Sequence, residues 1–300
     1  MPVEGILPVI PTPFRNGAFD AESFQRLLDH MLPFVDGYTL LGSTGEAPSM
    51  SLLDRQHIAE RALAMTPADK RVVVGVTDSS SDNSAELARH ADAHGAAAIL
   101  CASPFYFANT PDGVLAHLSH VDAAIGIDLI FYDNPVATGT QIAAADVVSW
   151  VARLGHLTAV KLTDHDLTKI DVWHEAGLQV LAGDDPILMR YLSAGVDGAM
   201  VIAPALFPEA FREVWELIRG GETVEALRVA GRRILPFLHV FGIGDEIATT
   251  KALFSEIGLF SSDEMLPPLQ PVSAARRRLL RDAYEACGAV PVEPSVTAKG

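Results

Sequence analysis

Short apolar runs rich in β-branched residues alternate along the chain with longer stretches whose apolar residues recur every three or four positions. The runs are Gly5–Ile10, Gly37–Leu41, Arg71–Val76, Ala97–Ala102, Ile127–Tyr132, Leu157–Lys161, Leu178–Ala182 and Gly198–Ile202. Their length and composition read as buried strands. Helical periods separate them. Phe24, Leu27, Leu28, Met31 and Leu32 share one helix face, with Asp20 placed to cap its start. Asn83 and Glu86 have the spacing of a capping pair. Pro208 opens a helix that the Gly220-Gly221 pair closes. Strand–helix units in this order predict parallel pairing, because parallel neighbours need a crossover. Eight such strands close most simply into a (β/α)8 TIM barrel of the α/β class. An open doubly wound sheet is the alternative. However, the first strand runs into Pro11-Thr12-Pro13-Phe14, not into a glycine-rich phosphate turn.

The barrel accounts for residues 1–221. Helical periods continue over roughly 222–239, 246–258 and 272–287, which predicts a C-terminal α-helical extension within 222–288. Residues 289–300 carry Pro, Val and Ser without a pattern and read as a tail. At 300 residues and 49% hydrophobic, the chain is long enough for one large core. A net charge of −16 disfavours nucleic acid and anionic membranes as partners. No apolar run has the length of a membrane span, and the N-terminus lacks a basic, apolar leader. Cys101 and Cys287 are the only cysteines, which predicts no disulfide framework and fits a reducing compartment. A soluble cytoplasmic protein is the expectation.

Barrel chemistry sits at the C-terminal strand ends. Reading only those ends collects Gly42-Ser43-Thr44-Gly45-Glu46, Pro104-Phe105-Tyr106, Tyr132-Asp133-Asn134-Pro135, Lys161 and Gly183-Asp184-Asp185 at one mouth. A lysine ending an apolar strand is costly, because burial disfavours its charged form. It is either paired with a carboxylate or used as a nucleophilic amine. An amine at such a site attacks a ketone and forms an iminium, an electron sink beside which C–H or C–C bonds break. The phenol of Tyr132, one strand away, can carry the protons. Backbone N–H groups and two hydroxyls in Gly42–Gly45 suit a substrate carboxylate.

The motifs Gly-Ser-Thr-Gly-Glu after strand two, Tyr-Asp-Asn-Pro after strand five and Lys161 closing strand six resemble the dihydrodipicolinate synthase / N-acetylneuraminate lyase family. These are class I pyruvate-dependent aldolases on a (β/α)8 barrel. The likeness spans about residues 4–290, including Thr12-Pro13-Phe14 and the trailing helices. It implies that Lys161 is the Schiff-base lysine and Tyr132 the proton relay. Ser43, Thr44 and Gly45 would hold the pyruvate carboxylate, with Thr44 also passing protons to Tyr132. Tyr106 would enter the site of a neighbouring subunit, which makes the active unit a homodimer or homotetramer. Thr163, Asp185 and Met200 would contact the rest of the substrate. The covalent adduct on Lys161 needs no cofactor and no metal. The implied partners are a 2-oxo acid such as pyruvate and an aldehyde.

One position departs from the pattern. Dihydrodipicolinate synthases place an arginine two residues after the proline of this tyrosine motif, to hold the carboxylate of aspartate semialdehyde. Here Ala137 stands there, and alanine supplies no bidentate fork. Asp184 and Pro186 do not match the sialic acid lyase pattern either. An aldolase or dehydratase acting on a 2-oxo-3-deoxy sugar acid, or on a related 2-oxo acid, fits better than either named enzyme. Two alternatives stay open: a barrel that binds a 2-oxo acid without turnover, and a dihydrodipicolinate synthase using Arg15 or Lys169 in place of the arginine. Plainer roles also stay open. Lys161 could reach solvent, Tyr132 could be a core aromatic, and Ser43-Thr44 could be a capping turn. Phe105-Tyr106-Phe107 could be an interface cluster. Glu46 reads as structural, and Asp184-Asp185 as helix caps. Asp164-His165-Asp166 invites a metal reading, but no H-x-H or H-E-x-x-H occurs elsewhere, so His165 reads as a loop residue near the substrate tail, and the remaining histidines read as lacking ligand spacing.

Overall fold

A computed structural model describes residues 3–241 and 245–289. Eight parallel strands form the expected barrel: β1 (Gly5–Ile6), β2 (Gly37–Leu40), β3 (Arg71–Gly75), β4 (Ala98–Ala102), β5 (Asp128–Asp133), β6 (Leu157–Leu162), β7 (Gln179–Ala182) and β8 (Gly198–Ala199). From β2 to β8 each strand pairs with the next in parallel, and β8 pairs with β1. A bridge between Val9 and Thr39 closes the ring between β1 and β2. The outer helices are α1 (Ala21–Met31), α2 (Leu52–Met65), α3 (Ser81–Ala93), α4 (Pro111–Asp122), α5 (Ala144–Val151), α6 (Thr168–Glu175), α7 (Leu188–Ser193) and α8 (Pro208–Arg219).

The short β1 has a local cause. Pro8 has no N–H for the ladder, although its carbonyl accepts from Thr39 and Val9 donates to Val201. The predicted run to Ile10 is therefore extended backbone that bonds on both sides without scoring as regular strand. The predicted run to Ile202 ends early because the chain turns into a short helix at Ala203–Leu206. Asp20 caps α1 as expected and accepts from the Ser23 N–H. The Asn83–Glu86 reading is corrected: Ser80 is the cap of α3 and accepts from Asn83, whose side chain bonds Asp78. A two-stranded hairpin, Phe14–Arg15 with Ala18–Phe19, went unpredicted. Each arm is two residues, too short to show a period.

Three longer helices follow: α9 (Thr223–Arg233), α10 (Glu246–Glu256) and α11 (Ala274–Ala286). Their apolar faces are not a separate core. Ala226, Ala230, Leu253, Phe254, Leu280 and Tyr284 are buried in one cluster with the barrel residues. Of the predicted tail, only Ala289 lies within the described residues. No helix among them is long and apolar enough to cross a membrane.

Candidate active site

The pairing of β5 with β6 shifts by one residue after Leu129–Leu157, so that Ile130 lies opposite Ala159. This irregularity skips Thr158 and sets Tyr132 opposite Lys161. Without it Tyr132 would face Val160, whose side chain points to the other side of the sheet. As built, Lys161 Nζ sits 4.2 Å from the Tyr132 ring centroid. The Tyr132 hydroxyl accepts from Asn134 Nδ2 at 2.9 Å, which leaves its own proton free to be donated. Asn134 also accepts from Ala137 N–H through Oδ1 and caps the short turn Pro135–Thr138. The sequence reading did not assign Asn134, and the Asn-Pro step was the available signal.

Among the described residues three lysines are buried: Lys161 (4% exposed), Lys169 (7%) and Lys251 (0%). Lys169 is held by Asp133 at 2.7 Å and Asp164 at 2.8 Å. Lys251 pairs with Glu46. Among the described residues Lys161 makes no ion pair. Buried ammonium groups are normally paired, so Lys161 differs from the other two in lacking a carboxylate partner within ion-pair distance.

The loop after β2 is fixed by its backbone. Leu41 (φ +57°) and Glu46 (φ +60°) both take the left-handed conformation, which is costly for a bulky residue such as leucine. Gly75 lets this loop approach β3, since a Cβ there would stand 2.2 Å from the Leu41 carbonyl oxygen. Thr12 Oγ1 donates to Gly45 O at 2.8 Å. Ser43 is exposed and Thr44 half-buried, and no hydrogen bond engages either hydroxyl among the described residues. Glu46 is structural, but its main partners are remote. One oxygen meets Lys251 of α10 and the other accepts from Leu266 N–H. Lys251 also donates to Glu264 O, and the Glu264 carboxylate accepts from Asn16 and Gly17 in the hairpin. The extension and the hairpin thus clamp the loop together.

The remaining mouth residues are largely occupied. Thr163 Oγ1 donates to Asp133 O at 2.6 Å. Asp185 accepts from Ile202 and Ala203 N–H, each at 2.8 Å. Burial pushes its carboxyl up to about 6 against those two bonds. These bonds join the β7 end to the β8 end beside Met200, which is fully buried. His165 pairs with Asp184 at 2.9 Å. Asp164 meets Lys169, and Asp166 accepts from Thr168, so this triplet does not converge on a point. Lys169, proposed above as a substitute cation, is committed to its two aspartates. Arg15 lies 4.0 Å from Asp20 and 3.6 Å from Glu22. Tyr106 is 88% exposed, has φ +83° and packs edge-on against Phe107.

A cavity of about 220 Å³ adjoins Tyr132. Ser43, Pro48, Thr77, Phe105, Asn134 and Ala137 contribute to its wall, and no charged side chain does. Lys161 is not among its lining residues. A larger hollow of about 300 Å³, lined by His30, Phe207, Tyr284 and Cys287, is built from helices and the extension, not from strand ends. Both cysteines are buried and free, and burial pushes the Cys101 thiol up to about 12. One expectation about histidines is corrected. His90 in the last turn of α3 and His94 at its C-cap do have ligand spacing, and with Glu60 they bring three donor atoms within 4.8 Å of one another.

The family model for the dihydrodipicolinate synthetase family matches residues 2–287. The chain belongs to that family. It is 25% identical to the 4-hydroxy-tetrahydrodipicolinate synthase of Thermosipho africanus over 96% of this chain and 99% of that protein. It is 28% identical to the enzyme of the same name from Syntrophobacter fumaroxidans, with the same coverage of both chains. Among solved structures, dihydrodipicolinate synthase from Aquifex aeolicus superposes with a TM-score of 0.91 at 21% identity, covering 97% of this chain and 99% of that one. YagE of E. coli K12, a family member solved in complex with pyruvate, gives 0.88 at 23%, covering 95% and 99%. At these identities the two structures show the fold alone. A monomeric dihydrodipicolinate synthase variant matches at 0.89 and 25%, covering 95% and 97%. Members of the family are lyase-type enzymes, and the chain is an enzyme of that kind.

Proposed function

We propose that the protein is a Schiff-base lyase that joins or cleaves a 2-oxo acid through Lys161. The observation that carries this is the contrast among the buried lysines: two are paired with carboxylates, and Lys161 lies unpaired against the Tyr132 ring. In this reading the neutral amine of Lys161 attacks the ketone carbon and gives a carbinolamine. The Tyr132 hydroxyl donates a proton to the departing oxygen, water leaves, and an iminium forms. A C3 proton passes back to the tyrosinate, and the iminium becomes an enamine. The enamine carbon then adds to an aldehyde. In reverse, the iminium accepts the electron pair of a breaking C–C bond. Hydrolysis returns the free lysine. The substrate carboxylate lies on the Ser43–Gly45 backbone and hydroxyls, and Asn134 holds the Tyr132 oxygen in place.

The acceptor is a neutral aldehyde or sugar-like group, not aspartate semialdehyde. Ala137 offers no cation, the adjoining cavity is lined without charge, and Lys169 is already neutralised. The exposed Tyr106–Phe107 pair favours a second copy of the chain docking there, with Tyr106 extending the relay.

Borohydride reduction in the presence of pyruvate, followed by peptide mass spectrometry, tests the mechanism. The expected result is a reduced pyruvyl adduct on Lys161, absent from Lys161→Ala. An adduct on another lysine, or full turnover by Lys161→Ala, ends the proposal. Activity with aspartate semialdehyde well above that with neutral aldehydes would overturn the acceptor assignment alone.

A further inference from the structure

Helices α2 and α3 lie side by side outside the barrel and carry side chains that the proposed chemistry does not use. His90 stands in the last turn of α3 and His94, four residues on, is the residue that caps its C-terminus. Their rings stack with centroids 4.1 Å apart and 29° between planes. Glu60 reaches them from α2, and one donor atom from each of the three lies within 4.8 Å of the others. The tautomer of His94 follows from its neighbour. Its Nδ1 is 2.7 Å from the His90 carbonyl oxygen, which only accepts, so Nδ1 carries the proton. The lone pair is then on Nε2, and the bond holds the ring in place as an outer partner holds a metal-bound histidine. A second contact joins the same helix pair, where Gln56 of α2 donates to Glu86 of α3 at 3.1 Å.

We propose that Glu60, His90 and His94 form a binding site for a divalent transition-metal ion of the Zn²⁺ type, with water completing the coordination. Two imidazole nitrogens and one carboxylate oxygen select such ions over Mg²⁺ or Ca²⁺, which prefer all-oxygen cages. Zinc–ligand bonds of about 2.0–2.2 Å place tetrahedral donors roughly 3.3 Å apart. The present spread closes by rotation of the exposed Glu60 and His94 side chains. The ligands come from two helices, so the ion would staple α2 to α3. It would stabilise the barrel wall and take no part in the chemistry at Lys161.

The test is calorimetric titration of the untagged, chelator-stripped full chain with Zn²⁺ at about pH 7.5. The expected result is one equivalent bound, with affinity reduced roughly tenfold or more in His90→Ala and in His94→Ala, and reduced less in Glu60→Gln. Zn²⁺ should raise the melting temperature of the wild type and leave that of the His90→Ala/His94→Ala variant unmoved. Circular dichroism shows whether each variant is folded, and His94→Gln serves if the alanine variant is not. No binding at ~100 μM Zn²⁺, an excess over a site of this class, overturns the site. So does one-equivalent binding that the double variant retains.

Discussion

Replacing Lys251 with methionine removes one half of a fully buried ion pair and leaves Glu46 facing apolar surroundings. Both side chains are shielded from solvent, and Glu46 keeps only the Leu266 N–H as a donor. Burial pulls the Lys251 ammonium below its ordinary range in spite of the Glu46 charge, which marks the site as strongly desolvated. Breaking such a pair from one side costs about 3–5 kcal/mol, because the remaining charge is uncompensated. That is about a fifth or more of the usual roughly 5–15 kcal/mol stability of a domain. Methionine nearly matches the lysine stem in volume, so little of the loss is cavity. Adding Glu46→Gln removes the stranded charge and should restore most of the loss, giving a coupling of several kcal/mol in the double-mutant cycle. Urea unfolding at fixed protein concentration measures all four species. A single-mutant loss under about 1 kcal/mol, the size of an exposed pair, would refute the reasoning. So would two effects that simply add. The pair also holds the Ser43–Thr44 loop, so Lys251→Met should raise the pyruvate concentration needed for half-maximal adduct formation.

Four further outcomes follow from other contacts. Gly75→Ala should destabilise by well over 2 kcal/mol, roughly the overpacking range, because its Cβ meets backbone at the Leu41 carbonyl, not a movable side chain; a melting curve matching the wild type would count against this. Burial, with His120 adding to it, lowers the His117 imidazole to about 4 from its ordinary 6.5. The folded state therefore binds fewer protons than the unfolded between those values, and about 3 kcal/mol present above pH 6.5 is lost as pH falls toward 4; unfolding free energies at several pH values should show a flatter acid slope for His117→Gln, and an unchanged slope would discount the effect. Tyr132→Phe should slow turnover by about 10²–10⁴-fold, the usual size of proton-transfer catalysis, while Asn134→Ala slows it less; steady-state rates with equal values for all three would remove Tyr132 from the relay. Ala137→Arg adds a cation at the cavity wall and should raise kcat/KM for aspartate semialdehyde, an effect that salt weakens; no gain at low ionic strength would show that another feature excludes that substrate.

Much of the barrel was legible because its cause is local. A parallel strand buried on both faces requires an unbroken apolar run, and all eight runs lie within a few residues of the observed strands. The catalytic candidates were legible for a related reason. Polar residues ending such runs have no packing role, so Ser43-Thr44, Tyr132 and Lys161 stood out against their surroundings. The hairpin at Phe14–Phe19 and the cap Ser80 were missed because a two-residue strand has no period and several residues near 80 can cap equally well. Glu46 reads from the sequence as a structural residue bonded within its own loop, whereas its carboxylate meets Lys251 and the Leu266 N–H. Nothing near residue 46 announces a lysine at position 251, because the pair forms only when α10 packs on the barrel.

The sequence by itself determined the strand–helix alternation, the strand ends that carry the candidate site residues and the missing arginine at Ala137, since each is a property of neighbouring residues. Tertiary structure decided which lysine stands alone. Lys161, Lys169 and Lys251 are all buried, and only the folded chain brings Asp133 and Asp164 to the second and Glu46 to the third. It also decided that Tyr132 faces Lys161, through the one-residue shift at Thr158 between β5 and β6. Pairing register depends on where two strands meet, and side-chain direction alternates with every residue. A single skipped residue therefore separates a tyrosine over the lysine from one on the far side of the sheet.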